Sequence, residues 1–240
     1  GAPAVRDPYG VELGLESLSP TQLILHMDDE RPFVRDRTVE LLVEAGAASV
    51  VPLAEYFASS ADVEARIAAL FALYRIGTQN ARQVVREALD DPDFEVRIVA
   101  ARSAGMAGDA LALDKLMERV VDDEPAVRRQ AATALGQIGD PLAVESLLEA
   151  AEDPDDRFVD HAIIHALATI GSPDLLVEGL NQLTGLSQSG LNYSLNQSAG
   201  VSSSHAASQQ LDEALINRHR AALIALDQME GDHLPSRMIV

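Results

Sequence analysis

Apolar residues recur through most of this chain with the period of amphipathic helices, and one such helix follows another. The stretch Val127-Arg128-Arg129-Gln130-Ala131-Ala132-Thr133-Ala134-Leu135-Gly136-Gln137-Ile138-Gly139 shows the pattern well. Its apolar positions 127, 131, 134, 135 and 138 share one face of a 3.6-residue turn. Gly139 is the expected helix stop, free to take positive φ. Asp140-Pro141 then opens a second helix, with Asp as N-cap and Pro at N1. Leu142, Val144, Leu147, Leu148 and Ala151 form its predicted buried stripe.

The two-helix unit repeats. Glycines stand at 46, 77, 108 and 139, each 31 residues after the last, and Gly171 follows after 32. Arginines at 35, 66, 97 and 128 keep the same interval, each 11 residues before its glycine, and Arg220 with Gly231 restores that offset at the end. One helix pair cannot bury both its apolar faces, whereas stacked pairs form a continuous core. The expected fold is therefore all-α: an α-solenoid, a right-handed superhelix of helix pairs with a 31-residue period. Five pairs are expected over roughly 31–183, then a first-type helix over about 210–229. Residues 1–18, rich in Pro and Gly, read as a linker. Residues 19–240 read as a single repeat domain, opened by a helix with a Ser19-Pro20-Thr21-Gln22 capping box.

Composition supports this picture. Apolar residues make up 47% of the 240 and aromatics 4%, so the core rests on Leu, Ile, Val and Ala, which suits close helix packing. The absence of cysteine excludes disulfides, thiolate metal sites and a Cys nucleophile. Eighteen basic against 38 acidic residues give a net charge of −20. That opposes nucleic-acid binding and attachment to an anionic membrane, and favours a basic partner. No apolar run approaches the length of a membrane span.

All basic residues but Lys115 are arginine, the residue for bidentate and partly buried pairing. Asp29, Asp91 and Asp122 each precede a periodic arginine, Arg35, Arg97 and Arg128, by six residues. With Arg66 they predict a structural ladder of alternating charges along one edge. The competing reading is a calcium-binding edge using loops such as Glu152-Asp153-Pro154-Asp155-Asp156, which lack the glycine-turned loop of a calcium motif.

Two irregularities mark candidate binding positions. In the fifth unit the ladder residue is Asp160, beside His161. His161 and His165 lie four apart on one helix face, two ligands for zinc or copper if Asp160, His205 or His219 supplies a third. Their plainer reading is a half-exposed polar face. From Gly179 to Leu211, 33 residues contain no Asp, Glu, Lys or Arg. This polar insertion, about 184–209, is expected to be either mobile or folded back through side chains such as Tyr193. There is no G-x-S-x-G elbow, P-loop or G-x-G-x-x-G. No catalytic residue and no cofactor is expected, and the segment is not read as an enzyme.

The V-R-x-x-A-x-x-A-L-x-x-I-G core of 127–139 and the D-P-x-A-V start at 140–144 resemble the HEAT-like repeats of the phycobilisome-lyase type, a family mostly of scaffolds. The resemblance spans about 210 residues. Deoxyhypusine hydroxylase, a HEAT-like di-iron enzyme, holds its metal on His-Glu dipeptides, and this sequence has none. A narrower resemblance lies in 155–167 and 220–229. Both are similar to the repeat segment of large bacterial proteins that join a sugar-dehydrogenase-like propeller, HEAT-like repeats and a c-type haem domain. The leader Ala2-Pro3-Ala4-Val5-Arg6-Asp7-Pro8-Tyr9-Gly10 looks like the linker leaving such a propeller. That likeness implies an extracytoplasmic parent whose redox modules this segment spaces or docks. The array stops mid-unit on Met238-Ile239-Val240, so a piece of a larger protein is expected. The expected function is a non-catalytic protein-interaction scaffold or interdomain spacer, with a protein or a neighbouring domain as partner. The alternative is a small-molecule or metal-binding module centred on the fifth unit and the insertion.

Overall fold

A computed structural model describes residues 7–154, 156–179 and 204–232, the side chains of 204–212 and 230–232 excepted. The described residues contain helices, turns and bends. They divide into two compact units, Gly1–Asp109 and Ala110–Val240.

The first unit holds α1 (Pro20–Leu23), α2 (Pro32–Glu44), α3 (Val50–Ser59), α4 (Val63–Ile76), α5 (Gln79–Glu87) and α6 (Phe94–Met106). The second holds α7 (Leu113–Val121), α8 (Pro125–Ile138), α9 (Ala143–Ala150), α10 (Arg157–Ile170), a short α11 over 173–179, and α12 (Ser204–Asp232). Each unit is a stack of helix pairs, the solenoid arrangement. First-type helices pack on one another, α2 on α4 on α6 in one unit and α8 on α10 on α12 in the other.

The 31-residue interval is visible in the core. Val34, Ala65, Val96 and Val127 are buried, as are Leu42, Leu73, Ala104 and Leu135. One shift of 32 continues both columns to Val159 and Leu167. Small residues bring the helices close: a methyl at Gly136 in α8 would sit 3.0 Å from Ala166 Cα in α10. Gly139 ends α8 at φ 73°, which only glycine adopts without strain.

Three expectations change. Asp140 does cap the turn before α9, accepting from Leu142 N at 3.0 Å, but α9 begins only at Ala143. Leu142 therefore lies in that turn, 72% exposed, outside the buried stripe. From Val11 the segment read as a linker forms two 3-10 turns, Val11–Leu13 and Leu15–Ser17, with Leu15 buried. Glycine at position 10 allows this contact, since a Cβ there would meet Val34 Cγ2 at 2.7 Å. Tyr9 packs edge-on against Phe33, and Arg31 ties the segment down through the Asp7 carbonyl at 3.0 Å. Finally, α12 starts at Ser204, earlier than periodicity predicts, because the polar stretch before Leu211 is itself partly helical. The rest of the insertion, through residue 203 and including Tyr193, lies outside the described residues, as does the His205 side chain.

Candidate functional site

The periodic arginines sit at the joints between repeats. Three of them reach back to the loop before their own helix, and all four meet main-chain carbonyls left without helical partners at or beyond a helix end. Arg35 donates to the Asp29 carbonyl at 2.7 Å, Arg66 to Ser60 at 3.2 Å and Arg97 to Asp91 at 2.8 Å. Arg128, 6% exposed, instead donates to Val120, at the end of α7 in the preceding pair, at 2.9 Å and to Ala150, at the end of α9 in its own pair, at 3.0 Å.

The aspartates act differently from one another. The Asp91 carboxylate pairs with Arg66, the arginine of the preceding repeat, at 3.1 Å. The Asp29 carboxylate is held by Arg31 at 2.7 and 2.8 Å, and that guanidinium pushes its pKa down to about 2. Asp122 is exposed; the buried carboxylate of that loop is Asp123, which pairs with Arg119 at 3.4 Å and accepts from Glu124 N. Spacing alone points one residue off, because two consecutive aspartates occupy that loop.

In the fifth unit Asp160 takes both terminal nitrogens of Arg220, at 2.6 and 3.0 Å. These are the ladder positions of α10 and α12, so the joint persists with its charges exchanged. The pairing raises the Arg220 pKa, chiefly through the hydrogen bond from its guanidinium. Sequence reasoning missed Arg218, which is buried and pairs with Glu145 at 2.7 Å and Glu152 at 3.0 Å across to α9.

His161 and His165 share an exposed face of α10, their rings 6.4 Å apart and nearly parallel. His165 approaches the Thr169 hydroxyl, and His219 Nδ1 lies 2.8 Å from the Leu215 carbonyl of its own helix. Asp160 is committed to Arg220. No three His, Cys, Asp or Glu are grouped to hold a metal among the described residues. Of the acidic loop at 152–156, Glu152 serves Arg218 and Asp156 caps α10. Asp155 lies outside the described residues.

Successive second-type helices leave grooves between them. The α3–α5 groove, about 500 Å³, is lined by Val50, Val51, Ala54 and Val84 together with Glu55 and Glu87. The α7–α9 groove, about 590 Å³, sets Met117 and Val121 among Asp114, Glu118, Asp122 and Glu149, with Arg119, itself paired with Asp123, also in its lining. Each unit thus carries a groove between successive second-type helices that combines apolar side chains with carboxylates, Glu87 and Glu149 standing at equivalent places two periods apart. No helix of the described residues is long and apolar enough to cross a membrane.

The family model described as HEAT repeats matches residues 50–125, 86–168 and 113–183, together more than half of the chain. The chain belongs to the HEAT-repeat family. Among solved HEAT-like structures, the complex of CpcE and CpcF of phycocyanin lyase from Nostoc sp. PCC7120 is 20% identical at a TM-score of 0.50. That match covers 95% of this chain and 99% of the other, and it shows the shared fold. Human deoxyhypusine hydroxylase in complex with glycerol is 23% identical at a TM-score of 0.46. The match covers 63% of this chain, which spans 62% of that enzyme's length. An engineered protein is 18% identical at a TM-score of 0.45, over 86% of this chain and 97% of the other. No curated protein matches the sequence. The all-α solenoid of phycobilisome-lyase-type repeats expected from the sequence is what the fold and the family match show.

Proposed function

We propose that this chain is a non-catalytic scaffold or interdomain spacer whose second-helix grooves receive a basic, partly apolar segment of a protein or of a neighbouring domain. The observation that carries this is the recurrence, in both units, of a second-helix groove that combines apolar side chains with carboxylates. A net charge of −20 steers a cationic partner toward such grooves, and their apolar side chains offer contact on arrival. The alternative centred on Asp160, His161 and His165 has less support, since Arg220 already satisfies Asp160.

The test is a fluorescence-anisotropy titration of the full chain with a labelled amphipathic helix rich in Arg and Leu. Binding should weaken with salt and with Glu118→Gln plus Glu149→Gln. An acidic helix of the same apolar pattern binding equally well, or no effect of the double substitution, would overturn the reading.

A further inference from the structure

The first unit contains a cavity of about 640 Å³, within the usual range of small-molecule sites, whose lining runs against the charge of the whole chain. Its walls include Val43, Tyr74, Arg75, Arg82, Val85 and Met106. Where the two grooves carry carboxylates, this cavity carries guanidinium groups. Asp109, the acid of its lining, is already paired with Arg86 at 2.7 Å.

The repeat itself shows how local this departure is. One period before Tyr74, Arg75 and Arg82 stand Val43, Glu44 and Val51; one period after stand Gly105, Met106 and Leu113. The stack therefore does not require a phenol or a cation at these places. Ser103 and Ala104, small residues near the end of α6, complete the lining opposite Tyr74, whose own counterpart in α6 is Gly105.

Arg82 is clamped on one side only. Its Nε donates to the Gly77 carbonyl at 3.2 Å and Nη1 to the Ala107 carbonyl at 3.5 Å, which leaves Nη2 without a partner among the described residues. Those carbonyls end α4 and α6, where helix dipoles are negative and hold the guanidinium in place. Arg75 is exposed and has no hydrogen-bond or ion-pair partner among the described residues. A structural role accounts for two donors of Arg82, and for nothing of Arg75.

We propose that this cavity binds a small amphiphilic carboxylate, its acid group between Arg75 and Arg82 and its apolar body on Val43, Val85 and Met106. A planar carboxylate matches the guanidinium fork, and the Tyr74 hydroxyl is a further donor. The site is separate from the grooves assigned to a basic partner, so the two readings stand or fall independently.

Isothermal titration calorimetry of the full chain with benzoate, and with uncharged benzamide as its isostere, tests this. Benzoate should bind saturably and benzamide should not. Arg75→Glu, which installs the residue of the first repeat, should weaken benzoate by about tenfold or more, the scale of a lost hydrogen bond to a charged group. Circular dichroism and Tm should stay unchanged, because Arg75 holds nothing in the fold. Arg129→Glu, the same change of two charges in the other unit, should leave benzoate binding intact. Absence of saturable benzoate binding, equal binding of benzamide, or binding undiminished by both Arg75→Glu and Arg82→Gln would overturn the proposal.

Discussion

At the first four joints the ladder residue is an arginine that reaches main-chain carbonyls, whereas at the fifth it is Asp160, which waits for Arg220 from the next first-type helix. The two solutions differ in what they demand of the sequence. A carbonyl is present whatever the loop residue, so one arginine suffices. A carboxylate needs a second, matching side chain 60 residues away. They also differ in setting: Arg128 is buried, while the Arg220 side chain is 40% exposed and its attraction is screened by water.

The largest effect should therefore come from Arg128→Met. It strands the Val120 and Ala150 carbonyls at a buried joint, for an expected loss of about 3 kcal/mol, read from urea midpoints at constant m. Arg128→Lys should recover only part, because an ammonium lacks the fork that spans both acceptors. A midpoint unchanged by Arg128→Met would remove the distinction between the two kinds of joint. Next comes Gly136→Ala, which crowds α8 against Ala166 of α10, and overpacking of this kind costs about 1–2 kcal/mol. Asp160→Asn and Arg220→Met should each cost about 1 kcal/mol or less, and the double variant no more than either single one, as expected of a half-exposed pair. Added salt should narrow the Asp160 effect and leave the Arg128 effect as it is.

A further effect, at the first joint, depends on pH. Arg31 lowers the Asp29 pKa from its ordinary 3.8 to about 2. A folded pKa below the unfolded one means the contribution is complete above about pH 4 and is lost as pH falls through 2. Asp29→Asn should flatten the stability profile in that window and leave the neutral plateau nearly parallel to wild type. An unchanged acid limb would show that the Arg31 pair does not favour the folded state.

The parts legible in the sequence were those that rest on counting. Gly139 and its equivalents stop helices because positive φ recurs with the repeat, and Val127, Ala131 and Leu135 face inward because helical period decides the face. What counting missed depends on loop geometry. A six-residue spacing between Asp91 and Arg97 is the same whether the guanidinium meets the carbonyl or the carboxylate; the loop delivers the carbonyl and sends the carboxylate to Arg66. Asp123 displaced Asp122 by one residue, a shift below the resolution of a repeat pattern. Arg218 gave no signal at all, since it stands outside the periodic set and its partners lie 66 and 73 residues away. The grooves and the cationic cavity form between helices of successive repeats, so they exist only once the stack is built. The cavity nonetheless left a trace, in Tyr74, Arg75 and Arg82 standing where the neighbouring repeats carry other residues.

The inward reach of three ladder arginines to their own loops has an evolutionary corollary. Because Arg35, Arg66 and Arg97 all find an acceptor six residues back, each of these repeats carries half of its joint within itself. A tandem duplication or an in-frame loss of 31 codons recreates a working joint without any compensating mutation. The array can therefore change length in single genetic steps, until it meets the fifth joint, where Asp160 and Arg220 must be inherited together.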